Sequence, residues 1–326
     1  MRAIFVYPPQ AEVLDFAGPL HALYEANQLA GDRYEVVHCG VSESVRTAQG
    51  LQIADLAPLP QPRATDIVFV AGFPVRSSPP AALPRWLKAC DRAGARIFAI
   101  CTGAFLLGRA GLLNGRRCTT HWRRTGELQE EFPKADVLTG RLFVQDGRIT
   151  TSAGVASGID MTLDFIEQEQ GPLVAARVAR EIVVYVRRDA SHKQESVYTE
   201  HRTHIDPGVH AVQDWLIANP EVKCGLADLA KIANMSERNL TRAFSRATGV
   251  SIGEYRQRLR LEHARALLAN PSMTVDEVAA RTGFADARQL RRLWRAAYGV
   301  SPRAVSRPGR SHVAELGGGC AGDLAG

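Results

Sequence analysis

The sequence predicts two domains of different class: an α/β N-terminal domain with a parallel sheet, and an all-α C-terminal domain with two helix–turn–helix units. Three observations carry this. Short apolar runs alternate with helical periodicities through the first half of the 326 residues, the pattern of strands crossed by helices. Residues 226–251 and 275–301 are two copies of one pattern. The charge is also segregated: up to Gly208 there are 23 Lys/Arg and 23 Asp/Glu, whereas 209–303 holds 15 against 9. The chain's whole excess of +6 therefore lies with the repeat, where phosphate neutralisation and counterion release would reward it.

In the first domain, Ala3–Tyr7 reads as a strand broken at Pro8-Pro9, and Asp15-Phe-Ala-Gly-Pro19 opens an amphipathic helix to about Leu29. Tyr34–Gly40, Ile67–Ala71, Ile97–Ile100 and Arg148–Thr151 read as buried strands. Pro84–Ala93, Thr102–Ala110, Gly158–Gln170 and Leu173–Arg188 read as helices. The domain is expected over 1–188, followed by a polar linker at 189–208 that ends in an Ile205-Asp-Pro-Gly208 turn signal. A DNA-binding domain is expected over 209–305, with a Gly-rich disordered tail at 306–326.

Composition excludes several classes. No run approaches the roughly 20 apolar residues of a membrane span, and the apolar N-terminal strand is too brief for a signal peptide. The six cysteines are scattered with no Cys-x-x-Cys pair, which points away from a disulfide framework or a zinc site and towards a reducing cytoplasm. No metal and no cofactor are expected.

The repeat has a definite chemistry. In its first copy, Leu226, Leu229, Ala230 and Ala233 share one helix face, Asn234-Met235 turns the chain, and Ser236 caps a second helix. Leu240 and Phe244 bury that helix, leaving Arg238, Asn239, Thr241, Arg242 and Arg246 outside. In the second copy Gly283 permits the turn, Asp286 caps, and Leu290 and Trp294 face inward. Arg288, Gln289, Arg291, Arg292 and Arg295 are left outside. Leu226 to Met235 match Val275 to Phe284 at an offset of 49, but Phe244 matches Trp294 at 50, so the second copy holds one extra residue near its second helix. Arg suits guanine, and Asn suits adenine. Between the copies, Ile252–Ala269 reads as a long helix joining them.

Across roughly 209–305 this segment resembles the AraC-type DNA-binding domain, on Leu229-Ala230, Ser236, Leu240-Thr-Arg-Ala-Phe244, Gly249-Val-Ser251, Tyr255, Arg260-Leu261, Ala264-Arg265, Gly283-Phe284 and Gly299-Val-Ser-Pro302. The resemblance implies base contacts from Arg238, Thr241 and Arg242 in the first helix. In the second it implies Ala287, Arg288, Gln289 and Arg292. Gln289-Leu290 stands where the family often has Ser followed by an aromatic.

Ile97-Phe-Ala-Ile-Cys101-Thr-Gly-Ala-Phe reads as strand, sharp turn and helix, placing Cys101 at a nucleophile-elbow position where the helix N-terminus is expected to favour a thiolate. The stretch from Cys101 to Trp122, with Asp15-x-x-Gly18-Pro19 and Thr151–Asp160, resembles the PfpI/ThiJ-like domain of the GlxA family of regulators. That resemblance implies a flavodoxin-like fold over about 1–188 and a pocket whose candidates are Asp15, Gly72, Cys101, Thr102 and His121. Thr102 stands where protease-like relatives carry His, and Ala71-Gly72-Phe73-Pro74 replaces the commoner paired glycines. For Cys101 the readings are nucleophile, redox sensor, ligand contact or pocket lining. Asp15 could meet a cationic ligand or cap the first helix, His121 could orient a ligand or satisfy backbone, and Asp160 reads as a cap.

Together these features imply a cytoplasmic, sequence-specific DNA-binding transcription regulator, not an enzyme. The family resemblance implies an activator and a homodimer on double-stranded promoter DNA, controlled at the N-terminal domain by a small molecule, a nitrogenous metabolite among the candidates, or by a partner. The rival is a cysteine-dependent, isonitrile hydratase-like enzyme with a DNA-binding appendage.

Overall fold

The computed structural model of the chain describes residues 1–184, 188, 194, 200–268, 270 and 272–305, in two compact units divided between Gln194 and Glu195. The expected tail at 306–326, and all of the expected linker from 189 to 199 except Gln194, lie outside the described residues.

In the first unit the strands are β1 (Arg2–Val6), β2 (Glu35–Gly40), β3 (Ala57–Pro58), β4 (Ile67–Val70), β5 (Arg96–Ile100), β6 (Phe143–Asp146) and β7 (Ile149–Ser152). They form one sheet in the order β6-β7-β5-β4-β1-β2-β3, parallel except for the antiparallel edge strand β6. The helices are α1 (Val13–Ala30), α2 (Ala82–Ala93), α3 (Gly103–Arg109), α4 (Thr125–Glu131), α5 (Val155–Gln170) and α6 (Pro172–Glu181). Strand residues alternate between two cores. Ile4, Val6, Val68 and Ile97 pack under α2, α3 and α4, while Ala3, Phe5, Phe69 and Phe98 pack under α1, α5 and α6. The chain leaves β1 towards β2 and β3, then returns to its other side as β4, so the crevice between β1 and β4 is the topological switch point.

Three expectations for this unit change. Asp15 does not precede the first helix: α1 starts at Val13, which puts Asp15 fully buried inside its first turn. Asp160 is no cap, because α5 starts at Val155 and Asp160 lies a turn further in, holding the Arg188 guanidinium at 2.6 and 3.0 Å. The helix expected to reach Arg188 stops at Glu181, where Val183 turns left-handed (φ 56°) and the Val184 N–H reaches back to the Ala179 carbonyl at 2.8 Å.

The second unit contains α7 (Pro207–Ala218), α8 (Leu226–Ile232), α9 (Glu237–Thr248), α10 (Ile252–Leu268), α11 (Val275–Arg281), α12 (Ala287–Tyr298) and the short α13 (Pro302–Val305). The Ile205–Gly208 turn signal is a helix start: Asp206 accepts from Gly208 N and Val209 N at 3.1 Å, with Pro207 at the first helical position. Both helix–turn–helix units form. Their turns use a left-handed residue at corresponding positions, Asn234 (φ 54°) and Gly283 (φ 75°). The second must be glycine, since a Cβ there would lie 2.7 Å from the Glu221 carbonyl oxygen. Leu226, expected on the buried face of α8, is 38% exposed, and Leu229, Ala230 and Ala233 make that face alone.

Helix α10 belongs to both halves. Tyr255 and Leu259 pack with α8 and α9, and Leu261, Ala264 and Leu268 pack with α11 and α12. At roughly 100° per residue these two sets point to opposite sides of the helix. The second core centres on Trp294, which is fully buried. Trp294→Ala is therefore expected to cost about 3–5 kcal/mol. Chemical denaturation should show it, with loss of amide protection in α11 and α12 before α8 and α9.

Candidate functional site

Four strands deliver the cleft. The chain beyond β1 brings Asp15, β4 runs into Ala71-Gly72-Phe73, β5 into Cys101-Thr102, and β7 into Gly154, all at carboxyl ends around the switch point. Cys101 is held at φ 53°, the strained left-handed turn expected of an elbow. Its N–H donates to Ser152 O at 2.9 Å, and its carbonyl accepts from the Thr120 hydroxyl at 2.8 Å.

Two backbone donors beside the elbow are already used. Gly72 N–H donates to Asp15 Oδ2 at 3.0 Å, and Phe73 N–H donates to Thr102 Oγ1 at 2.8 Å. The Thr102 hydroxyl in turn donates to Phe73 O at 2.7 Å. An oxyanion would find neither N–H free. Gly72 allows this closeness: a Cβ there would sit 2.3 Å from Asp15 Oδ2 and 2.9 Å from Thr102 Oγ1.

Electrostatics also differ from the elbow expectation. Burial first, and then the neighbouring Asp15, push the Cys101 thiol up to about 12, outweighing the Thr102 N–H that favours the thiolate. The seven-residue α3 does not activate it. Burial raises the Asp15 carboxyl to about 7 against the Gly72 hydrogen bond, and its Oδ1 has no hydrogen-bond partner among the described residues. Asp15 is thus a buried acid close to a neutral thiol.

His121 completes the rim. Its Nδ1 accepts from Arg123 N at 3.3 Å at the head of a short 3-10 turn, and its ring stacks on Trp122. Burial, then Arg123 and Arg124, lower its pKa. The imidazole Cδ2 and Cys101 Sγ both lie beside Gly154, at 3.4 and 3.9 Å from where a Cβ would stand. All five sequence candidates therefore meet at one cleft. Phe73, Thr120 and Gly154 were missed, although all three lie within stretches quoted from the sequence. Among the described residues no His/Cys/Asp/Glu cluster could hold a metal, and no helix is long and apolar enough to cross a membrane.

On the second unit, Arg238, Asn239, Thr241, Arg242 and Arg246 are exposed along α9, and Arg288, Arg291, Arg292 and Arg295 along α12. Their opposite faces are fixed by Leu240 and Phe244, and by Leu290 and Trp294. The caps form: Ser236 Oγ accepts from Asn239 N at 3.3 Å, and Asp286 Oδ1 from Gln289 N at 2.6 Å. Thr241 Oγ1 is bonded to Glu237 O at 2.9 Å, and Arg291 lies 3.7 Å from Asp276. Ala287 is 5% exposed and packs inward, so the base contact that resemblance gave it is withdrawn. Gln289 is half-buried, its amide turned back along the helix.

Two predictions follow from the cleft. With Asp15 protonated in the fold and ionised in the unfolded chain between pH 3.8 and about 7, stability falls as pH rises through that window. The slope from this group approaches about 1.4 kcal/mol per pH unit, and Asp15→Asn should remove it in thermal unfolding series. Gly72→Ala should destabilise by about 1–3 kcal/mol through overpacking, read in the same assay.

Known proteins share this construction. Residues 1–168 match the DJ-1/PfpI family, and 229–307 match the Helix-turn-helix domain family. The HTH-type transcriptional regulator GbdR of Pseudomonas aeruginosa is 32% identical over 295 residues, covering 89% of this chain and 80% of that protein. The HTH-type transcriptional regulator GlxA of Rhizobium meliloti is 28% identical over 299 residues, covering 90% and 92%. A putative transcriptional regulator from Vibrio parahaemolyticus superposes with a TM-score of 0.51 at 21% identity, covering 56% of this chain and 98% of that one, which supports the fold alone. With a DJ-1/PfpI domain leading into paired AraC-type helix–turn–helix units, the chain belongs to the GlxA-type DNA-binding transcription regulators.

Proposed function

We propose that this regulator is a cytoplasmic, homodimeric activator whose grip on promoter DNA is set by a small nitrogenous metabolite in the Asp15–Cys101 cleft, and that it is not an enzyme. The observation carrying this reading is the contrast between the two units. The cleft has its Gly72 and Phe73 donors consumed and its thiol protonated, whereas α9 and α12 present arginines outward on helices locked from behind.

DNA contact is assigned to Arg238, Asn239, Thr241 and Arg242 in the first helix, and to Arg288, Arg291 and Arg292 in the second. Gln289 serves the helix end. Arg242→Ala and Arg292→Ala should each weaken binding roughly 10- to 100-fold. Fluorescence anisotropy on a duplex recovered by genome-wide mapping of bound sites would measure it; unchanged affinity and salt slope would sink the assignment.

A cationic amine beside Asp15 would favour the ionised carboxylate, so effector binding should strengthen as pH rises towards 7. Thermal-shift screening of amine metabolites at pH 6 and pH 8 tests this, with the larger stabilisation expected at pH 8.

A second reading, the isonitrile hydratase-like enzyme, draws on the buried acid Asp15 beside Cys101. Turnover of an isonitrile by the purified chain, abolished in Cys101→Ala, would favour it; no turnover is expected.

A further inference from the structure

The two helix–turn–helix copies differ by one residue, and the structure locates it. Met235 and Phe284 correspond, their N–H groups bonding to Ala230 O at 2.9 Å and Ala279 O at 3.1 Å. The caps Ser236 and Asp286 also correspond, each accepting from the N–H three residues on. Met235 is followed directly by its cap, but Ala285 stands between Phe284 and Asp286. Ala285 is therefore the extra residue. It brings one more backbone N–H to the helix start, and Gln289 Oε1 accepts from it at 2.8 Å.

Counted from the caps, Arg238 and Arg242 match Arg288 and Arg292, and Asn239 matches Gln289. The arginine pairs are four apart on one exposed face in both helices. The amides are not equivalent. Asn239 is exposed, and its side chain makes no hydrogen bond among the described residues, while Gln289 has its acceptor committed. Adenine needs both ends of an amide, the oxygen for N6–H and the NH2 for N7.

We infer that the two recognition helices read DNA with different chemistry. Helix α9 reads with an arginine pair and an adenine-seeking amide, whereas α12 reads with arginines alone, because Gln289 satisfies the N–H of the inserted Ala285. The operator then carries guanine preferences in both groove segments and an Asn239-dependent adenine in one. This rests on the DNA contacts proposed above and adds which bases each helix selects.

The test is selection of the full chain on a randomised duplex library, followed by Asn239→Ala and Gln289→Glu. Asn239→Ala should flatten the adenine preference in one segment, with a roughly 10- to 100-fold loss on the adenine-bearing site, and leave the other segment unchanged. Gln289→Glu keeps an acceptor for Ala285 N–H but cannot donate to adenine N7, so the base profile should persist even where overall affinity drops. An adenine preference lost in Gln289→Glu, or a profile unmoved by Asn239→Ala, would overturn the inference. Failure of the unaltered chain to enrich any duplex would overturn the underlying contact assignment as well, and is distinguishable from both.

Discussion

The continuous helix α10 is the constraint on which the DNA-binding unit depends. Neither helix–turn–helix copy closes a core alone: the first needs Tyr255 and Leu259, the second needs Leu261, Ala264 and Leu268. Because one helix supplies both sets from opposite sides, each copy's position is fixed by the same backbone. Its flanks are tied down too. Arg260 Nε donates to Pro220 O at 2.7 Å, beside the turn glycine Gly283, and the Tyr298 hydroxyl donates to Glu262 at 3.1 Å. A helix anchored this way holds both copies from behind and leaves the outer faces of α9 and α12 to their exposed arginines.

At its switch point the N-terminal unit departs from the geometry of an active elbow. Active elbows need a thiolate and free oxyanion donors. Here burial and Asp15 oppose the thiolate, and the two nearest loop N–H groups close onto Asp15 and Thr102. What stays uncommitted among the described residues is the Asp15 Oδ1, a group that suits recognition better than bond-breaking. Thr120 ties the cleft's floor to the chain's later course: its hydroxyl holds Cys101 O, while its carbonyl accepts from the Gln194 side chain at 2.9 Å. The last described residue of the unit thus touches the segment that lines the cleft.

Much of this was legible in the sequence, for physical reasons. Apolar runs such as Ile67–Ala71 and Ile97–Ile100 read as buried strands because both faces of the sheet are covered. Caps at Ser236 and Asp286 were readable because few side chains do that work. What escaped was tertiary. No pattern told that Asp15 would lie inside α1 with its oxygen on Gly72 N, or that Asp160 would pair with Arg188 rather than cap. The thiol's state was left open by the sequence because a helix start favours a thiolate locally, whereas the burial that opposes it comes from distant strands. Ala287 failed likewise: counting along the helix gives its angle, but the packing of Phe284 and Leu290 decides that it faces inward.

The inserted Ala285 shows how a single residue can change chemistry without changing fold. A longer turn could have been absorbed by leaving the extra N–H to water. Instead the side chain one turn into α12 bends back, forming with Asp286 a reciprocal cap: Gln289 N to Asp286 Oδ1, and Ala285 N to Gln289 Oε1. The first copy has no inserted N–H to satisfy, since Met235 N bonds to Ala230 O and the cap follows directly, so Asn239 stays outward while Gln289 is drawn in. The arginines on either side are untouched by the exchange. On the contacts proposed above, the duplication keeps a common pattern of exposed arginines while the insertion commits an amide in one helix only, so that two similar helices seek dissimilar sequences along a single duplex.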